Sequence, residues 1–276
     1  MRVTRYDATE PVRRGQLDSN TVARLDGGVG FAELLTTLDA IRAEQRPARV
    51  LCTLDDLDQC VYTSGHAGQD RRLSPDAAEA ETDPADPAAV RRADEARVGW
   101  VAAALATAAA REDRDELPEP REGGPAEIAA LLALNADPDL ALDEVVLVRR
   151  VPVPRDDLVI AGLPNGYFQG DWDTFQNHAV IRRLAGHGYR HIGIGTTLLG
   201  FDRASAPTAA EAGAVIADLA RLYGTPEHPG WAALADLLRT RRTLLLGYTE
   251  DFADVTADAS AYTSAEARAA RPAPGS

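Results

Sequence analysis

Apolar residues Phe31, Leu34, Leu35, Leu38 and Ile41 recur at helical spacing, and Pro47 lies just beyond them. This predicts an amphipathic helix ending near Gln45. The period then shortens. Arg49 to Thr53 reads as a strand, Asp55 to Asp58 as a turn, and Cys60 to Thr63 as a strand pairing back in a hairpin. An Ala-rich stretch, about Ala88 to Arg111, carries Val98, Val101 and Leu105 on one side and predicts a helix on propensity alone. Pro125 opens a short helix ending near Asn135. Glu144 to Val153 is the clearest strand, β-branched and bounded by acidic residues and Pro. Leu158 to Ala161 reads as another.

Asp173 or Thr174 caps a helix running to about Ala185, which Gly186 or Gly188 closes. Tyr189 to Gly195 predicts a strand, and Leu198 to Phe201 extends that sheet or returns along it. Thr208 and Glu211 form a capping box before a helix that stops at Gly224. Pro229 opens the next helix, and Thr243 to Tyr248 is a final buried strand. Met1 to Gly28 shows no clear period and reads as a loose arm with room for a short strand.

The fold class expected is therefore α/β or α+β, a mixed sheet flanked by helices, with an amino-terminal helix-hairpin unit and flexible acidic linkers. The expected organisation is an amino-terminal arm and helix-hairpin unit at 1–63 and a flexible linker at 64–87. An Ala-rich helix with a charged break follows at 88–124, then a main domain at 125–254 and a disordered tail at 255–276. The first unit either joins the main sheet or stands apart.

Asn165 to Arg203 differs from the Ala, Arg, Asp, Glu and Leu background. It gathers Tyr167, Phe168, Trp172, Phe175, Tyr189 and Phe201 with three of the five histidines. One reading is a hydrolytic or metal-dependent site built on Asp171, Asp173, His178 and His191. No ligand-spacing motif supports a metal, and none is expected. A second reading is binding through Tyr167, Trp172, Phe175 and Asn177. A third is anion binding at Gly193, Gly195, Thr196 and Thr197, which lack GxGxxG spacing and an immediate helix. The plain alternatives are that the aspartates cap a helix, His178 is a core residue, His187 sits at a helix end, and the glycines allow close packing.

Composition narrows the chemistry. At 276 residues the chain can bury a sizeable core. All 29 basic residues are arginine and the net charge is −14. Without lysine there is no P-loop lysine, Schiff base or lysine general base, which argues against Walker ATPases, protein kinases and pyridoxal enzymes. Net negative charge disfavours nucleic acid and suits a basic protein partner. No secretory leader or membrane span is legible, so a cytoplasmic, reduced setting is expected, with Cys52 and Cys60 filling apolar positions. No cofactor is expected.

Val145 to Asp254 resembles an uncharacterised bacterial domain family of high-GC Gram-positive genomes. The resemblance rests on the VPVP run Val151 to Pro154, the AVIRRL helix Ala179 to Leu184, the Gly–aromatic junction into IGIG, and the Pro207–Thr208 helix start. The chain departs from it by lacking a Cys-Pro-Asp element near the last helices. Some such domains lie beside toxin–immunity genes, so the resemblance implies an immunity-like or regulatory binding role and transfers no catalytic residues.

Overall fold

The computed structural model describes residues 1–6, 18–73, 83, 86–111, 117–120 and 123–256. Among these residues, seven strands form one mixed sheet: β1 (Arg2–Arg5), β2 (Thr21–Asp26), β3 (Arg49–Thr53), β4 (Val145–Val151), β5 (Arg190–Ile194), β6 (Leu198–Asp202) and β7 (Thr243–Gly247). Their spatial order is β1-β2-β4-β3-β5-β6-β7. Every neighbouring pair is antiparallel except β3 and β5, which run parallel with Cys52 opposite Gly193.

Among the described residues, seven α-helices accompany the sheet: α1 (Phe31–Glu44), α2 (Leu57–Ala67), α3 (Pro87–Ala109), α4 (Pro125–Ala136), α5 (Thr174–Gly186), α6 (Ala209–Leu222) and α7 (Gly230–Leu238). Helix α4 packs on α7 and β7, while α5 packs on β5. The apolar stripe of α1 is buried as its spacing predicts, at Phe31, Leu34, Leu35, Leu38 and Ile41. The capping box of α6 forms, with Thr208 Oγ1 accepting from the Glu211 amide and Glu211 accepting from the Thr208 amide. Gly224 then takes φ +65° beyond the helix end. β6 returns antiparallel along β5, with Arg190 opposite Asp202. Central strand β4 has Val146, Leu147 and Val148 buried. Among the described residues, no helix is long and apolar enough to cross a membrane.

Four expectations need correction. Residues 21–26 are not part of a loose arm: β2 lies between β1 and β4, and it buries Thr21, Val22, Ala23 and Leu25. Cys60 to Thr63 is helical, so the hairpin does not exist. Asp56 caps α2 by accepting from the Gln59 amide, and Leu57, Cys60, Ser64 and Ala67 then share a buried side at helical spacing. Local β propensity in CVYT yields to that burial.

The linker expected at 64–87 begins within α2, and Leu73 is 1% exposed in the core; residues 74–82 and 84–85 lie outside the described residues. Leu158 to Ala161 belongs to a 3-10 helix, Asp156–Gly162, with both apolar and small residues buried. Its continuous apolar run fits a fully buried helix as well as a strand. The amino-terminal strands share the sheet with the rest of the chain. Of the tail expected at 255–276, residues 257–276 lie outside the described residues.

Candidate functional site

Strands β3 and β5 end side by side, and the chain leaving them builds two adjoining surfaces. After β3, Leu54 to Asp56 turns into α2. Asp56 adopts φ +41°, a left-handed conformation that Asp tolerates better than most residues. After β5, Gly195 lies against Asp55, whose Oδ1 would be 1.8 Å from any Cβ there. A side chain at 195 would therefore displace the carboxylate.

The inner surface is a buried polar knot. Asp55 Oδ2 accepts from the Thr197 amide at 2.9 Å and the Thr197 hydroxyl at 2.8 Å. Its Oδ1 has no hydrogen-bond partner among the described residues. Burial raises Asp55 to about 6, against the pull of those two bonds. Asn165 donates to the Gly195 carbonyl at 3.3 Å, and its Oδ1 accepts from the Gly166 amide at 2.9 Å. The Tyr248 hydroxyl lies 2.9 Å from the Gly195 carbonyl and 2.5 Å from that of Thr196. Cys60 and Cys52 are buried free thiols. Burial raises Cys52 to about 12 and Cys60 well above its ordinary value, so neither is a ready thiolate.

The outer surface uses the same segments. From α2, Tyr62 and His66 project with ring centroids 4.5 Å apart; His66 stacks on Tyr167 at 5.0 Å, and Tyr167 meets Phe168 at 5.2 Å. Tyr62, Tyr167 and Phe168 are 56%, 48% and 49% exposed, so this ladder is open to solvent. It borders a cleft of about 680 Å³ that also takes in Asp70, Arg72, Asp171 and Asp173. Arg72 donates to Asp70 at 2.6 Å and to Asp173 at 2.8 Å, and its guanidinium lies 4.7 Å from the Phe175 ring centroid. Glu250 adds a fourth carboxylate beside Gly170.

The residues singled out in the sequence separate between these surfaces. Tyr167 is exposed on the ladder. Phe175 is half-buried beneath Arg72. Trp172, at 2% exposed, belongs to the core and packs on Tyr223 with ring centroids 5.7 Å apart. Asn177 is buried and donates to the carbonyls of Asn165 and Trp172 at 3.1 and 3.0 Å, so it holds the loop and does not face the cleft.

Asp171, Asp173, His178 and His191 do not form one cluster. Asp173 caps α5, accepting from the amides of Phe175 and Gln176, and its second oxygen meets Arg72. Asp171 lines the cleft with it. His178 is buried 3.4 Å from Asp157. Burial alone would raise Asp157, but His178 and Arg155 outweigh it and hold that carboxyl well below the usual range. His191 lies in β5 with Nε2 3.0 Å from the Gly193 carbonyl, and burial depresses it to about 3. Among the described residues, no group of three or more His, Cys, Asp and Glu could hold a metal ion.

His187 closes α5 with Nε2 2.7 Å from Asp218. Gly193 serves close packing, since a Cβ there would sit 2.8 Å from the Cys52 sulfur. Thr196 and Thr197 spend their hydroxyls on the Asp56 carbonyl and Asp55, so the anion reading has no free donors there. Sequence reasoning passed over Tyr62, His66 and Arg72. The signal is present, since Tyr62 and His66 are four apart and share a helix face, but the local propensity of CVYT reads as extended.

Fold and site together define a mixed α/β protein with an open aromatic face beside an acidic cleft. No protein-family model, curated protein or solved structure matches this chain.

Proposed function

We propose that this chain is a cytoplasmic binding protein of immunity-like or regulatory type, and that it grips a basic protein partner with the ladder face. The observation that carries the reading is the exposed ladder Tyr62–His66–Tyr167–Phe168 at an acidic cleft. Exposed aromatics of this size are the residues that dominate protein interfaces once a partner desolvates them. Asp70, Asp171, Asp173 and Glu250 outnumber Arg72 around them, so charge complementarity favours a cationic surface. Arginine side chains on that surface would stack on the rings as Arg72 does on Phe175.

The test uses a photoreactive amino acid at Gln69, an exposed cleft residue, in producing cells. The expected result is capture of a basic protein, lost when Tyr167→Ser and Phe168→Ser are combined. Capture that survives the double substitution, or capture of acidic proteins alone, overturns the reading.

A further inference from the structure

Phe168, the last ring of the ladder, opens a tight turn. The Asp171 amide donates to the Phe168 carbonyl at 3.3 Å, and Gly170 takes φ +99°, in the region that favours glycine. Glycine is needed there for a second reason. A Cβ on Gly170 would lie 2.3 Å from one carboxylate oxygen of Glu250, so that carboxylate rests on the turn itself. The chain on both sides of Glu250 is anchored. The Tyr248 carbonyl accepts from the Trp172 amide at 2.9 Å, and the Tyr248 and Phe252 side chains are buried. Glu250 is exposed, and its carboxylate makes no hydrogen bond or ion pair among the described residues.

The same cleft shows how it holds a guanidinium. Arg72 lies 4.7 Å from the Phe175 ring centroid while donating to Asp70 at 2.6 Å and to Asp173 at 2.8 Å. Ring and carboxylates together satisfy the flat face and the edge donors of one arginine. Phe168 and Glu250 bring a second ring and a further carboxylate to one turn. Among the described residues, no arginine lies over Tyr167 or Phe168 or pairs with Glu250.

The ring geometry chooses the cation. His66 and Tyr167 are stacked with 29° between planes, while Tyr62 meets His66 at 67° and Tyr167 meets Phe168 at 62°. Each ring packs on the next, so they form a row and do not converge on one centre as the rings of a quaternary-ammonium cage do. A guanidinium is planar and weakly hydrated, and it stacks on a single open face with its N–H groups free along the edge. A lysine ammonium is compact and strongly hydrated, so it gains less from one ring.

We propose, resting on the reading of this face as the partner's docking surface, that the partner is anchored by one arginine side chain. Its guanidinium stacks on the Tyr167–Phe168 end of the ladder and donates two hydrogen bonds to Glu250, and lysine does not replace it.

The experiment titrates fluorescent hexa-arginine and hexa-lysine peptides with the full chain, by anisotropy at an ionic strength of about 0.15 M. The expected result is hexa-arginine tighter by about tenfold. Glu250→Gln keeps the shape of an exposed side chain and removes its charge, and it should bring the two peptides within about twofold of each other. Tyr167→Ser combined with Phe168→Ser should do the same. Glu33→Gln, which removes the same charge from an exposed position on α1, should leave the preference intact. Equal affinity for the two peptides overturns the arginine anchor while a cationic partner stands; binding of neither removes both. An arginine preference that survives Glu250→Gln, or one lost equally in Glu33→Gln, overturns the anchor as well.

Discussion

Helix α2 and the loop 164–171 each have an inner and an outer side, and the two sides have opposite fates. Inward, α2 presents Cys60 and the loop presents Asn165, both buried in a hydrogen-bonded knot with Asp55 and Tyr248. Outward, the same helix presents Tyr62 and His66, and the same loop presents Tyr167 and Phe168. The knot holds Asp55, Cys60 and Tyr248, whose ionisation burial displaces, and all three side chains are buried. The ladder contains rings that are about half exposed. A buried acid with a raised pKa marks a functional site only where a cleft reaches it. Here the perturbed group secures the backbone from which the open face is hung.

Substitutions can break this division. The largest effect is expected at Trp172, which ties the loop to the core through Tyr223 and Asn177. Trp172→Ala should cost about 3–5 kcal/mol in a denaturant titration. A loss under about 1 kcal/mol would remove Trp172 from the scaffold and return it to the binding face.

Gly166 joins inner Asn165 to outer Tyr167 with φ +105°, and a Cβ there would meet the Trp172 carbonyl at 2.0 Å. Gly166→Ala should cost roughly 2–3 kcal/mol from conformational strain, with more from the clash. It should also disturb both surfaces at once, read as shifted resonances of Tyr167 and of Tyr248. Perturbation of one surface alone would show that they are not coupled through this residue.

Acidity separates the surfaces further. Asp55 rises from 3.8 to about 6 in the fold, so the native state holds a proton that the unfolded chain has released. Stability should therefore fall as pH rises from about 4 to about 6 and level off above that, by on the order of 3 kcal/mol. Asp55→Asn keeps an oxygen acceptor for Thr197 and should abolish this falling limb. An identical pH profile in the variant would assign the proton elsewhere.

The smallest effect is expected outside. Tyr62→Ser with Phe168→Ser should change stability by less than about 0.5 kcal/mol, because neither ring is buried. A loss above 1 kcal/mol would make the ladder part of the scaffold.

The elements legible in the sequence are those whose signals are local. The stripe of α1, the capping box of Thr208 and Glu211, and the apolar β4 and β7 each follow from neighbours within a few residues. The Arg-only basic set and the departure of Asn165 to Arg203 from the background are equally legible, and the loop 164–171 falls largely in that stretch. Within that loop, position along the chain could not say which ring faced water. Trp172 and Tyr167 are five residues apart and equally aromatic, yet one is core and the other is surface.

Tertiary structure decided the rest, because each remaining feature depends on segments far apart in sequence. Thr197 meets Asp55 across 142 positions, and the parallel pairing of β3 with β5 brings them together. His66 finds Tyr167 only because CVYT folds as helix, a choice made by burial of Leu57, Cys60 and Ala67 against the strong extended propensity of those four residues. Arg42, Arg46, Arg49 and Arg190 come from separate segments and converge at one end of that same strand pair. Hydrophobic period and capping fix what each segment is; which polar groups end up buried, paired or exposed is set by the close packing of segments onto one sheet, and that pairing is written in no single stretch of the chain.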